Sequence, residues 1–310
     1  MKVLVLGGTG MLGSMVAKVI PDEWETTITS RSGCYPYDLN NAVWQNLAVG
    51  EPGWIDDLDA IMDGCEWTVN CIGATKPLLP DEGVTSTTLA VYDNIVLPIV
   101  LAEKAAQNGC KVIQIATDCV FLGTEGPYSE SDERCAADLY GRTKALGEVP
   151  GIMHLRCSIV GPEVRFPARN LLGKVVEGLV TKGWKNHDWN GVTTLAFAKT
   201  CIGIMQYPEA YDVALPATHL VPKDILSKAE LIDAIVDEFN LGGGISYIDT
   251  PTKVDLSLST ERPNVNERLW EIAGYSGLPT IDSLIIELAE YCRQEMWPPP
   301  GCDGWRCWRE

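Results

Sequence analysis

The stretch "VLVLGGTGMLG", residues 3–13, decides the fold. Four consecutive aliphatic residues, Val3 to Leu6, suit a strand covered on both faces, not one with a wet side. Gly7, Gly10 and Gly13 follow at intervals of three, and residues 11–20 are compatible with a helix. The first N–H groups of such a helix have no intrahelical acceptor, and a turn without side chains lets an anion reach them. Glycine in a turn has conformational uses of its own. The buried strand before it and the helix after it are what turn the spacing into a dinucleotide-binding signal. Gly7, Thr9, Gly10, Met11, Leu12 and Gly13 are therefore candidate cofactor contacts, with the pyrophosphate as the anion.

Working outward, strand-like runs recur at 26–29, 68–72, 111–116 and 152–160, with helical patterns between them. The clearest helix is 88–108, where Leu89, Tyr92, Ile95, Val96, Ile99 and Val100 mark one face. Alternation of this kind predicts an α/β fold, a Rossmann-type doubly wound parallel sheet with ligands beyond the carboxyl ends of the strands. After about residue 150 helices are predicted near 167–181, 193–206, 226–240 and 280–294, the third opened by a capping box of Ser227 and Glu230. The expected division is a cofactor lobe over 1–150, with 191–225 returning to it. A smaller C-terminal α+β substrate lobe is expected over 151–190 and 226–295, then a Trp/Pro-rich tail over 296–310. Gly242 to Gly244 reads as a flexible turn, since no strand-to-helix context surrounds it. Trp297, Trp305 and Trp308 in the tail suit either a subunit contact, as in a homodimer, or a peripheral strap, which we favour.

The chain has 310 residues, 46% of them hydrophobic, enough for a large core. Lys plus Arg total 24 against 42 Asp plus Glu, a formal charge of -18 with no basic cluster, which disfavours nucleic acid and anionic membrane as partners. Gly7 to Gly10 interrupt the first apolar run too early for a signal peptide, and no run of about 20 apolar residues is expected to span a bilayer. Eleven cysteines without Cys-x-x-Cys spacing point to reduced thiols in a cytoplasmic protein. The three histidines, 154, 187 and 219, stand apart from any ligand set, so no metal site is expected.

At the end of the second strand, where an acidic residue would bond a ribose 2′-hydroxyl, the chain reads Thr29-Ser30-Arg31-Ser32. A hydroxyl and a guanidinium suit a 2′-phosphate, so NADP(H) is expected, with Ser30 and Arg31 discriminating. In "YGRTK", Tyr140 and Lys144 are four apart and share a helix face. An adjacent ammonium favours the phenolate and would bring the tyrosine nearer neutral titration. Thr117, ending the strand in "IATDCVF", can hydrogen-bond a carbonyl oxygen that Tyr140 protonates.

These motifs together, with "NCIG" at 70–73, "GVTT" at 191–194 and "YSESDERCAADLYGRTKALGE" at 128–148, resemble the extended short-chain dehydrogenase/reductases. Within them the chain is most similar to the dTDP-4-dehydrorhamnose reductase branch, over most of residues 1–225. The resemblance implies a lobe holding NADP(H), a second lobe closing over a nucleotide-linked sugar, and Thr117, Tyr140 and Lys144 as catalytic residues. By motif position Asp38 and Leu39 would lie beside the adenine, Cys71, Ile72 and Gly73 under the ribose, and Asn94 would brace the site. Lys76, Cys119, Ser158 and Asn190 are the candidate substrate contacts. Cys119 stands where these reductases often carry an aromatic residue, and where the related 4,6-dehydratases carry a glutamate. The implied activity is NADPH-dependent reduction of a nucleotide-linked 4-keto-6-deoxyhexose. Two alternatives remain: a sugar-nucleotide epimerase on the same scaffold, or a non-catalytic NADP-binding regulatory subunit, as one relative serves methionine adenosyltransferase.

Overall fold

The first strand, β1 (Lys2–Leu6), is buried on both sides as its sequence requires, with Val3, Leu4, Val5 and Leu6 all at 0% exposure. Side chains alternate along a strand. Val3 and Val5 accordingly join one core with Met15, Val16 and Phe197, while Leu4 and Leu6 join another with Leu58, Leu97 and Leu101. Burial of such a side chain contributes about 1.5–3 kcal/mol, so these four residues commit the sheet to a layer on each face. The computed structural model describes residues 1–33, 37, 39, 42–165, 167–214, 217–242 and 244–298.

The chain continues through α1 (Met11–Val19), β2 (Glu25–Ser30), β3 (Ala42–Asn46), α2 (Trp54–Met62) and β4 (Trp67–Asn70). Then come α3 (Val84–Val91), a π-helical turn (Tyr92–Val96), α4 (Leu97–Asn108), β5 (Lys111–Ala116), α5 (Leu139–Leu146), β6 (Met153–Arg156) and β7 (Ile159–Val160). The last third holds α6 (Leu171–Val176), β8 (Lys182–Trp184), β9 (His187–Trp189), β10 (Val192–Thr193), α7 (Thr194–Gln206), α8 (Glu209–Ala214) and β11 (Ala217–His219). It ends with β12 (Leu226–Ser227), α9 (Lys228–Glu238), β13 (Ser246–Ile248), β14 (Val254–Asp255), α10 (Pro263–Ile272) and α11 (Ile281–Gln294).

Seven parallel strands form the main sheet in the order β11-β6-β5-β4-β1-β2-β3. The fold is thus the doubly wound α/β architecture, and the order reverses between β1 and β4. A crevice opens beyond the strand ends at such a switch point. Helices α1 and α7 pack together on one face, and α2 and α4 on the other. Outside the main sheet the described residues form a three-stranded sheet (β12-β9-β14) and the pairs β13-β8 and β10-β7, with α6 and α9 packed together.

Several details depart from the sequence reading. The run 152–160 is two strands in different sheets, and β6 carries the main sheet beyond the expected boundary at residue 150. The run Val84–Asn108 is continuously helical and, by length and composition, apolar enough to cross a membrane, which the reading did not anticipate. Here it is a core element, with Leu97 and Leu101 under the sheet and Asp93 and Asn94 buried. Both halves of the capping box at Ser227 and Glu230 are present. Trp297 is 3% exposed and packs edge-on against Tyr37 at 5.0 Å, whose hydroxyl donates to the Gly8 carbonyl at 2.5 Å. Asp38, Gly243, Trp305 and Trp308 lie outside the described residues.

Candidate active site

At the switch point the glycine turn is pinned by the end of β2: Gly7 N–H donates to Thr29 Oγ1 and Gly8 N–H to the Thr29 carbonyl, each at 3.0 Å. Gly7 has φ +79°, a left-handed conformation suited to glycine. Helix α1 begins at Gly10 with no side-chain cap, so its first N–H groups face the adjoining space. That space is a cavity of about 740 Å³, within the range of a cofactor-sized ligand. Gly7, Thr9, Gly10, Met11 and Leu12 line it, as do Cys71, Ile72 and Gly73 at the end of β4. These features fit a dinucleotide pyrophosphate: an uncapped helix start, an approach free of side chains at Gly10, and an apolar wall.

The catalytic candidates meet in the same cavity. Thr117 ends β5 and caps the short 3-10 turn Asp118–Val120, accepting the Cys119 N–H at 3.2 Å and donating to Asp118 Oδ1 at 3.0 Å. Asp138 caps α5 by accepting the Gly141 N–H at 2.8 Å, one turn ahead of Lys144. Gly141 explains why glycine follows Tyr140: a Cβ there would stand 2.2 Å from the Cys119 carbonyl oxygen. Only without that atom can α5 lie on the 117–120 turn, so that Thr117 and Tyr140 line the same cavity. At the other end of α5, a Cβ on Gly147 would collide with the Asn94 carbonyl at 1.8 Å.

Asn94 sits in the π-helical turn, a helix irregularity that recurs at functional sites. Its Oδ1 accepts the Ala74 N–H at 2.9 Å, and its Nδ2 donates to the Ala74 carbonyl and to Thr143 Oγ1, both at 3.0 Å. One amide thus ties the segment after β4 to α5. Lys144 is 6% exposed and donates to the Ile115 carbonyl at 2.9 Å; burial brings its amine down to about 8, against the opposing pull of Glu148 and Cys71.

The expectation that Lys144 brings the tyrosine nearer neutral titration is not met in this fold. Burial pushes the Tyr140 phenol up, the Cys119 side chain adds to this, and the Thr117 hydrogen bond only partly offsets it. Desolvation of a phenolate outweighs a cation whose own amine is spent on a backbone carbonyl. Cys119 lines the cavity with its thiol pushed up to about 12, chiefly by burial, and is therefore a neutral thiol at physiological pH.

Arg31 and Ser158 also line the cavity, but six other candidates do not. Gly13 lies inside α1 against the Gly7 carbonyl. Ser30 is 1% exposed at the end of β2, and Leu39 packs against the core. Asn94 braces the site without lining it. Lys76 pairs with Asp138 at 2.8 Å, and both ends of the Asn190 amide are used by the Leu258 backbone at 2.7 Å. The sequence reading missed Asp93 and the segment after β7. Asp93 lines the cavity opposite Arg31 with its carboxyl raised to about 6, mainly by burial. Glu163, Arg165, Arg169 and Asn170 line it too, and Asn170 Nδ2 is buried without a hydrogen-bond partner. A signal for Asp93 was its charge beside Asn94 inside an apolar helix; the post-β7 segment has no periodicity to read.

Residues 1–152 match the RmlD substrate binding domain family. The methionine adenosyltransferase 2 subunit beta of Danio rerio is 27% identical, over 98% of this chain and 93% of that protein. Among solved structures, the dTDP-4-dehydrorhamnose reductase of Clostridium acetobutylicum superposes with a TM-score of 0.68 at 19% identity, over 94% of this chain and 99% of that one. The Bacillus anthracis dTDP-4-dehydrorhamnose reductase, solved in complex with NADP, gives 0.66 at 16% identity, over 93% and 96%. Residues 1–152 thus match the RmlD substrate binding domain family, and the chain as a whole shares the fold of these solved reductases.

Proposed function

We propose that this protein is an NADPH-dependent reductase of a nucleotide-linked 4-keto-6-deoxyhexose. The observation that carries the reading is the convergence of Thr117, Tyr140 and Lys144 on the cavity that the uncapped glycine turn enters. Strands β2, β1, β4 and β5 are neighbours, so the ends bearing Arg31 and Thr117 stand about 14 Å apart with the turn between them. Arg31 would hold the 2′-phosphate and the N–H groups of α1 the pyrophosphate.

The nicotinamide, when bound, supplies the hydride. The Thr117 hydroxyl orients the sugar carbonyl, and the Tyr140 hydroxyl, protonated because it is buried, delivers the proton to the carbonyl oxygen. Lys144, tethered to Ile115, holds a cation beside the ribose. The walls of the cavity keep bulk water from competing for the proton. A nucleotide-sugar partner and a cytoplasmic location go with this reading, the latter supported by eight described cysteines that are free thiols.

The test is to follow NADPH absorbance with UDP-, dTDP- and GDP-linked 4-keto sugars; no oxidation with any of them removes the proposal. One observation favours a second reading, that of a cofactor-binding regulatory subunit: the full-length similarity to the methionine adenosyltransferase subunit. NADP(H) binding without ketone-dependent turnover, together with retention of a methionine adenosyltransferase catalytic subunit, would establish it instead.

A further inference from the structure

The turn from Gly7 to Gly13 carries no cationic side chain, so a pyrophosphate seated there would meet only backbone dipoles. Arg165 and Arg169 reach the same cavity from the segment after β7. That segment is braced from within: Glu163 Oε2 accepts the backbone N–H groups of Arg169 at 2.6 Å and Asn170 at 2.9 Å, and Glu177 Oε1 accepts that of Ala168 at 2.9 Å. From this frame Arg165 Nη2 donates to Thr9 Oγ1 at 2.6 Å, bridging 156 positions of sequence to land inside the glycine turn. Thr9 immediately precedes the uncapped start of α1. A guanidinium at that end of a helix is repelled by the macrodipole, and an anion placed between the two would be attracted by both.

Resting on the dinucleotide reading above, we propose that Arg165 is a side-chain ligand of the cofactor pyrophosphate. Its Nη2 exchanges the neutral Thr9 hydroxyl for an anionic phosphate oxygen, so that a bond whose donor is already charged gains an acceptor of opposite charge. The positive charge at the pyrophosphate thus comes from the far side of the cavity, while Arg31 serves the 2′-phosphate independently.

Calorimetric binding to the full chain separates the two arginines by ligand. NADPH carries both phosphate groupings; adenosine 2′-monophosphate carries the 2′-phosphate alone. Arg165→Ala is expected to weaken NADPH by about tenfold or more and to leave adenosine 2′-monophosphate within about twofold, with Arg165→Lys recovering part of the loss. Equal affinity of Arg165→Ala and wild type for NADPH overturns the inference while leaving the cofactor reading intact. Equal losses for both ligands also overturn it, since the effect is then a general one on the fold. Failure of the wild-type chain to bind NADPH removes the cofactor reading and this inference together.

Discussion

Two alanine substitutions in the glycine turn should have opposite signatures. A Cβ on Gly13 would lie 2.3 Å from the Gly7 carbonyl oxygen, 2.8 Å from its carbon and 3.1 Å from Gly8 Cα. All three are backbone atoms, and Gly7 is held at φ +79° with its N–H bonded to Thr29, so the turn cannot yield locally. Helix α1 must lift off β1 by about an ångström, disturbing Met15 and Val16 in the core. Overpacking of this kind costs about 1–3 kcal/mol; taking 2–3 for a backbone clash, Tm should fall by roughly 3–5 °C in a chain of this length. Gly10 differs: its φ of -85° suits alanine, and a Cβ would meet only the Gly7 oxygen at 3.3 Å. Gly10→Ala should melt within about 2 °C of wild type yet bind NADPH at least about tenfold more weakly, because its methyl stands where the anion must approach. Thermal unfolding and calorimetry on both variants make the comparison. If Gly10→Ala binds like wild type, or melts as low as Gly13→Ala, the pyrophosphate does not sit at the start of α1.

Tyr140→Phe should abolish ketone-dependent NADPH oxidation with little change in cofactor Kd, and an unchanged kcat in that variant would falsify the proton-donor role. Arg31→Ala should collapse the preference for NADPH over NADH measured by calorimetry; a preference that survives means the 2′-phosphate is held elsewhere. Asp93→Asn should tighten NADPH binding, since it removes a negative charge from the cavity wall that a phosphate must share, and should stabilise the fold in a pH-dependent way. Because the folded carboxyl is raised from 3.8 to about 6, wild type loses stability as pH rises between those values. The variant's advantage should therefore be absent below pH 3.8 and reach at most roughly 3 kcal/mol above pH 6; a pH-independent difference in denaturant unfolding would refute it.

How much of this was legible depends on whether a residue's partners are near it in sequence. Val3 to Leu6 announce a strand buried twice over because each residue reports its own face, and Ser227 with Glu230 form a cap that closes within four positions. Strand β3 gave no such signal: among the described residues it pairs only with β2, and it leaves Val43, Gln45 and Asn46 exposed. The π-helical turn needs the packing of α5 on Asn94 to fix it, and nothing in "YDNIV" signals that neighbour. Within the site, Tyr140, Gly141 and Lys144 were readable because a single helix carries them. Asn190 and Lys76 were carried over by resemblance, and in this fold Leu258 and Asp138 occupy them. Arg165 reaches Thr9 only after the chain has passed through five further strands of the main sheet.

The state of Lys144 bears on whether the site is maintained for chemistry or only for binding. A lysine at 6% exposure with its amine lowered from 10.5 to about 8 is penalised while charged, so at neutral pH the fold carries a cost of about 3 kcal/mol from that one group. The bond to the Ile115 carbonyl is already inside that balance, and an apolar residue of similar length would avoid the penalty altogether. Tyr140 lies one turn away, its phenol also raised by burial and therefore kept in the protonated form that reduction of a carbonyl consumes. A scaffold that only holds a dinucleotide could use the Lys144 cation at the ribose, but the protonated phenol beside it adds nothing to binding that this cavity shows. A reductase requires both, and the stability given up at Lys144 is the kind of expense that active sites carry.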